Sequence, residues 1–250
     1  MCASYPDSTA RSRDTTDFQG LMMATQALPR LTSSPRSVSV IIHVIGLLSF
    51  TASLLYIPNI ANPLHNGFGG SYQFLTIIAL TISTLTFVVG LLTDVSLNKH
   101  LFALKNIFSI CATPLDVLVS ILYWGLRVVD KKLVVPSGHE LPFIPDFGFH
   151  AVPAVMLTLD LMLLSHIWTI KAGGAMALGS VLVSLYWSWI EYCFSRNGWW
   201  DILTIPCSLM IIDDFCRYPY PLLALLSLWQ KLLLCIVAAA LMAGSTMALK

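Results

Sequence analysis

Charge is what this sequence lacks. Charged residues make up only 11% of its 250 residues, against about a quarter in a soluble domain. So few charges cannot cover a water-facing surface or keep a chain unfolded, which excludes a soluble enzyme and a disordered chain. The net charge of +1 gives no basic footprint and excludes a nucleic-acid binder. Paired cysteines are missing too. The six cysteines, at 2, 111, 193, 207, 216 and 235, form no C-x-x-C pair. Cys111, Cys193 and Cys235 lie inside apolar runs and read as small buried hydrophobes rather than as a disulfide or metal framework. Residues 1–37 contain no early apolar core, so a mobile polar tail is expected there rather than a cleavable signal peptide. Gly67-Phe68-Gly69-Gly70 is a turn and not a phosphate-cradling loop. His139, His150 and His166 share no metal-ligand spacing, and Asp213-Asp214 reads as a solvated loop end. No metal or other cofactor is therefore expected.

What the sequence has is long apolar runs. Hydrophobic residues reach 56% and the mean hydropathy is +0.77. Runs at 38–57, 73–93, 106–126, 149–170, 174–194 and 221–248 are each near the roughly 20 residues that a membrane span needs. The backbone of a span must satisfy its own hydrogen bonds in lipid, so each run is a helix. The apolar stretch 202–212 is too short to span and reads as interfacial or re-entrant. The expectation is an all-α polytopic membrane bundle of about six transmembrane helices. Residues 1–37 would be the tail and 38–250 a single transmembrane domain. The setting would be the endomembrane system, such as the endoplasmic reticulum, or the plasma membrane. With six spans both termini share a side with the 94–105 and 171–173 loops. That side carries eight Lys and Arg against five on the other, which favours cytosolic termini.

Helical spacing sorts the polar residues inside the runs. Thr76, Ala79, Ser83, Thr86, Gly90 and Thr93 share a face of the second helix. Ser109, Thr113, Asp116, Ser120, Tyr123 and Arg127 share one of the third. Ser184, Ser188, Glu191 and Ser195 align in the fifth. Asp146, His150 and Asp160 fall on one arc of the fourth. Small and hydroxylated residues let spans pack closely. Charged residues in hydrocarbon are expensive and usually face a bundle interior, so Asp116, Asp160, Glu191 and His150 point to a polar cavity. Loop geometry puts Thr76, His150 and Glu191 toward one leaflet, with Asp116 and Asp160 deeper and Asp94 at the opposite face.

The residues around this convergence resemble a known family. Gly69-Gly70-Ser71-Tyr72-Gln73-Phe74-Leu75-Thr76 resembles the Gly-Gly-x-aromatic-x-Phe-Leu-Thr signature of the androgen-induced multipass membrane proteins. Leu92-Thr93-Asp94, the apolar run between Pro114 and Pro136, Phe143-Ile144-Pro145 ahead of a His, and Gly198-x-Trp200 are similar as well. That family comprises intramembrane threonine hydrolases of fatty acid esters of hydroxy fatty acids. The resemblance implies Thr76 as nucleophile and His150, opening the fourth helix, as its base. The implied partners are a lipid ester and the bilayer.

A Thr hydroxyl needs a base within hydrogen-bond reach, and neutral imidazole suits that task. A third group normally orients the base. Asp146, four residues before His150, is one candidate, although after Pro145 it reads first as a helix N-cap. Asp116 is the second. Backbone N–H groups near Gly69 and Gly70 are the guess for the oxyanion donors. Two other classes fit the composition. One is an intramembrane cyclase or isomerase with Asp116, Asp160 or Glu191 as the acid. The other is a lipid-binding or transport protein lined by the same polar stripes.

Overall fold

The computed structural model describes residues 36–60, 63–135, 140–164, 171–197 and 218–249. The N-terminal tail, the 202–212 stretch, Gly198, Trp200, Asp213-Asp214, His139, His166, Cys2, Cys207 and Cys216 lie outside the described residues. Within them every regular element is helical: α1 (Arg36–Tyr56), α2 (Leu75–Ser96), α3 (Lys99–Asp130), α4 (Phe143–His150), α5 (Val152–Leu164), α6 (Ala172–Asn197), α7 (Pro221–Leu225) and α8 (Leu228–Ala248). Five of these are long and apolar enough to cross a membrane, and the α4–α5 pair, bent by 42°, makes a sixth crossing if counted as one span. The chain is an integral membrane protein with an all-α polytopic bundle. Leu48, Leu55, Trp229 and Ile236 project outward, large and apolar, as a lipid-facing surface requires.

The centre of the bundle is α2, packed between α1 and α3, while α5 lies on α1 and α3, and α8 lies on α6 and α3. One core cluster joins Phe50, Leu80, Phe87, Phe149 and Leu157. A second joins Ala79, Leu115, Leu118, Ala238 and Met242. The small-residue face of α2 is buried from Thr76 to Thr93. A Cβ on Gly90 would come within 2.5 Å of His43 Nε2, so this position admits no side chain while the histidine stays in place.

Three boundaries differ from the sequence expectation. The stretch 94–105 is not a loop. Leu97 adopts a left-handed conformation at φ 54°, and the Asn98 side chain caps α3 by accepting the His100 N–H at 2.8 Å. Helix α3 therefore begins seven residues early, at Lys99, and Lys105 is a buried helical residue rather than a loop charge. The fourth run does not open at His150; His150 closes α4. Pro153 has no N–H to bond the Phe149 carbonyl, so the helix breaks there. The sixth run also breaks. Leu226 is extended, and α8 starts afresh with a capping box between Ser227 and Gln230.

Candidate active site

The Gly-Gly segment is a device for starting α2 at a defined place. Gly69 has φ +88° and Gly70 φ +51°, a region that favours glycine. A Cβ on Gly69 would also lie 2.7 Å from Cys193 Sγ. The tight turn Gly70–Gln73 follows, and α6 holds it in place. Trp189 Nε1 donates to the Tyr72 carbonyl at 2.9 Å, and the Tyr186 hydroxyl donates to the Gln73 carbonyl at 3.0 Å. Phe74 is extended and offers no side-chain cap, so the first N–H groups of α2 need another acceptor. Tyr220 supplies it: its hydroxyl accepts the Leu75 N–H at 3.1 Å. Thr76 and Tyr186 are the other groups that act on the Tyr220 phenol. Thr76, the second residue of α2, is 6% exposed.

His150 is fixed from two sides. Its Nδ1 lies 3.0 Å from Asp146 Oδ1, one turn earlier on α4. Its ring stacks on Tyr123 of α3, with centroids 3.4 Å apart and planes 3° from parallel. Asp146 is fully buried and takes two further hydrogen bonds at 2.5 Å, from the Tyr123 hydroxyl and from Arg127. The expected N-cap role is therefore not what Asp146 does; Pro142 holds the cap position. The Asp146 side chain points to α3 and His150.

Thr76 and His150 line one cavity of about 700 Å³, together with His65, Phe74, Tyr123 and Tyr220. Thr76 also lines a second cavity of about 940 Å³, whose walls are nearly all apolar and include Leu115, Leu118, Leu182, Trp187, Cys235 and Ala238. Thr76, Tyr123, Val134 and Tyr220 are common to both.

The other carboxylates singled out in the sequence lie elsewhere. Asp116 accepts from Ser83 across the α2–α3 contact and lines neither cavity. Asp160 does not align with His150, because the α4–α5 bend breaks the phase of the expected helix. It bonds Lys105 Nζ at 2.7 Å and His43 Nε2 at 3.0 Å. His43 Nδ1 is 2.6 Å from Asp94, which also accepts from Ser39. This ionic network holds α1, α2, α3 and α5 together away from the cavities. Glu191 accepts from the Tyr218 hydroxyl at 3.2 Å, and Lys231 donates to that hydroxyl. Burial, and then Glu191, push the Tyr218 phenol up to about 12, so it stays a donor. Ser184, Ser188 and Ser195, expected on an interior stripe with Glu191, are exposed. Helix α6 turns Ala175, Gly179, Ile190 and Cys193 inward instead.

Two cavity residues had no sequence signal as site residues. Tyr220 stands 144 positions after Thr76 and just before α7, so only tertiary packing could bring them together. Tyr123 was legible as part of the α3 polar stripe but not as the platform for His150. The guessed oxyanion donors fare less well, since the Gly70 N–H is already committed to the Gly67 carbonyl at 3.0 Å.

The sequence pattern of the family described as FAR-17a/AIG1-like protein matches residues 38–201. The chain belongs to the FAR-17a/AIG1-like family. The match takes in Thr76, His150 and Asp146, whereas Tyr220 and α8 fall after it. Among relatives of this FAR-17a/AIG1-like chain, a UPF0641 membrane protein of Schizosaccharomyces pombe is 28% identical over 215 residues, covering 83% of this chain and 86% of its own. The human androgen-induced gene 1 protein is 26% identical over 172 residues, covering 62% of this chain and 71% of its own. The rat androgen-dependent TFPI-regulating protein is 26% identical over 140 residues, covering 49% of this chain and 60% of its own. No solved structure matches.

Proposed function

We propose that this chain is an intramembrane lipid-ester hydrolase with Thr76 as nucleophile and His150 as general base. Its substrates would be fatty acid esters of hydroxy fatty acids or a related lipid ester. The observation that carries the reading is that Thr76 and His150 line one cavity while Asp146 holds His150 by Nδ1. That contact leaves Nε2 to exchange protons. His150 takes the Thr76 proton as Thr76 Oγ attacks the ester carbonyl, then returns it to the departing alcohol. A water activated by His150 cleaves the acyl-threonine and releases the fatty acid. Burial pushes the Tyr220 phenol up from its ordinary value, so it stays protonated and can donate to the developing oxyanion.

The carboxylic-acid cyclase reading has less support, because Asp116 and Asp160 line neither cavity. A lipid-binding protein without turnover would also use the apolar 940 Å³ cavity, and turnover separates the two. Thr76→Ala and His150→Ala, each purified in detergent, are to be labelled with a lipid-mimetic serine/threonine-hydrolase probe and assayed on a fatty acid ester of a hydroxy fatty acid. Both variants lose labelling and hydrolysis. Retained labelling of Thr76→Ala ends the nucleophile assignment.

A further inference from the structure

Thr76 stands where two cavities meet, and the two are chemically unlike. His150 and His65 belong to the smaller cavity alone. The larger is walled by α3, α6 and α8 with aliphatic and aromatic side chains. Four residues, Thr76, Tyr123, Val134 and Tyr220, form the shared rim. An ester has two arms, and an ester carbonyl seated at Thr76 sends one arm into each space.

We infer that the larger cavity receives the acyl arm of a long-chain ester and the His150 cavity receives its alcohol arm. The inference rests on the hydrolase reading and fixes the direction in which substrate lies. The argument follows the proton. Thr76 Oγ forms a bond to the acyl carbon, and the bond from that carbon to the alcohol oxygen breaks. The proton lost by Thr76 passes to His150 and from there to the leaving oxygen, which departs as a neutral alcohol. The leaving oxygen must therefore sit on the His150 side, and His150 lines only the smaller cavity. The acyl group remains bonded to Thr76 and has the other cavity for its chain. Once the alcohol has left, a water takes its place beside His150. It gives one proton to His150 and its oxygen to the acyl carbon, and Thr76 recovers its proton as the fatty acid leaves.

The wall chemistry agrees. A saturated acyl chain offers no polar atom, and burying it grows more favourable with each methylene. The walls near Leu115, Leu118, Leu182, Cys235 and Ala238 are apolar throughout. Acyl-chain length is then read by α6 and α8, and the nature of the alcohol by Val134, Val135, Leu141, Phe149, His150 and His65.

Two measurements test this on the full-length chain in lipid nanodiscs. The first uses non-hydrolysable ether isosteres of a palmitoyl ester, carrying a diazirine either at the end of the acyl arm or at the end of the alcohol arm. Photolysis and peptide mapping should place the acyl-end label on α6 or α8 and the alcohol-end label on peptides that carry Ile57, Ile60, His65, Val135, Leu141 or Phe149. The reverse pattern, or both labels in one cavity, overturns the proposal. The second compares turnover of C16 and C6 acyl esters of one alcohol. Cys235→Phe, which shortens the larger cavity, should lower the C16 to C6 ratio of kcat/KM at least tenfold. Val135→Phe should leave that ratio within threefold while changing the preference among alcohols. A Cys235→Phe ratio unchanged, or moved only by Val135→Phe, also overturns it. Failure of the parent reading looks different. Hydrolysis that survives Thr76→Ala discards the nucleophile, while the photolabel pattern still decides which arm lies where.

Discussion

Asp146 Oδ1 lies 3.0 Å from His150 Nδ1, the contact that would orient His150 as the base of the proposed hydrolysis. The carboxylate is itself held by Arg127 and Tyr123, so neither partner of the pair is free to swing. In Asp146→Asn the side chain keeps its shape but loses the charge that would stabilise the imidazolium of the proposed proton transfer. Turnover should fall by about 10²- to 10⁴-fold with KM nearly unchanged, measured on a single lipid ester. A drop in thermal stability with kcat intact would instead make Asp146 a structural residue.

Tyr220 joins the C-terminal third of the chain to the first turn of α2. Tyr220→Phe removes the acceptor of the Leu75 N–H and leaves a buried donor unsatisfied, which costs about 1–3 kcal/mol. If the hydroxyl also donates to the oxyanion, kcat should drop by about 10²- to 10³-fold. Unfolding in detergent and steady-state kinetics on the same preparation separate the two effects.

The Lys105–Asp160 ion pair at 2.7 Å lies far along the bundle from Thr76. Lys105→Met leaves Asp160 with His43 but without the lysine cation, and breaking a buried pair in this way costs up to about 3–5 kcal/mol. Thermal unfolding should report this as a large loss of stability, with the rate per folded molecule close to that of the wild type. Equal losses of rate and stability would tie the network to catalysis.

His65 sits in the loop before α2, edge-on to Phe74. Burial lowers its pKa from the ordinary 6.5, so folding favours the neutral ring. The unfolded chain then binds more protons, and stability rises with pH. The contribution is fully present above about 6.5 and is lost as pH falls through the lower folded value. The apparent Tm should decline between pH 7 and pH 5, and His65→Gln should flatten part of that decline.

Composition alone determined the solvent. With 11% charge and runs near span length, only a helical membrane bundle could satisfy its backbone, and the described residues hold helices for five or six crossings. The Gly-Gly to Thr76 signature was also legible, because a turn requiring glycine leaves a local mark. Asp146 was visible as a partner of His150, since residues four apart share a helix face wherever the helix is unbroken. Asp160 was misplaced for the same reason in reverse: Pro153 breaks the helix and resets its phase.

What only the tertiary structure decided is what meets across the helices. Periodicity tells which face a residue shares, but not which helix that face meets. It therefore could not separate Asp116, sealed against Ser83, from Asp146, aimed at His150. Nor could it bring Tyr220 to the start of α2, Lys105 into a buried ion pair, or Thr76 to the rim of two cavities. Those placements come from packing the described helices against one another, where contacts depend on crossing and depth. A one-dimensional pattern of apolar and polar residues carries neither.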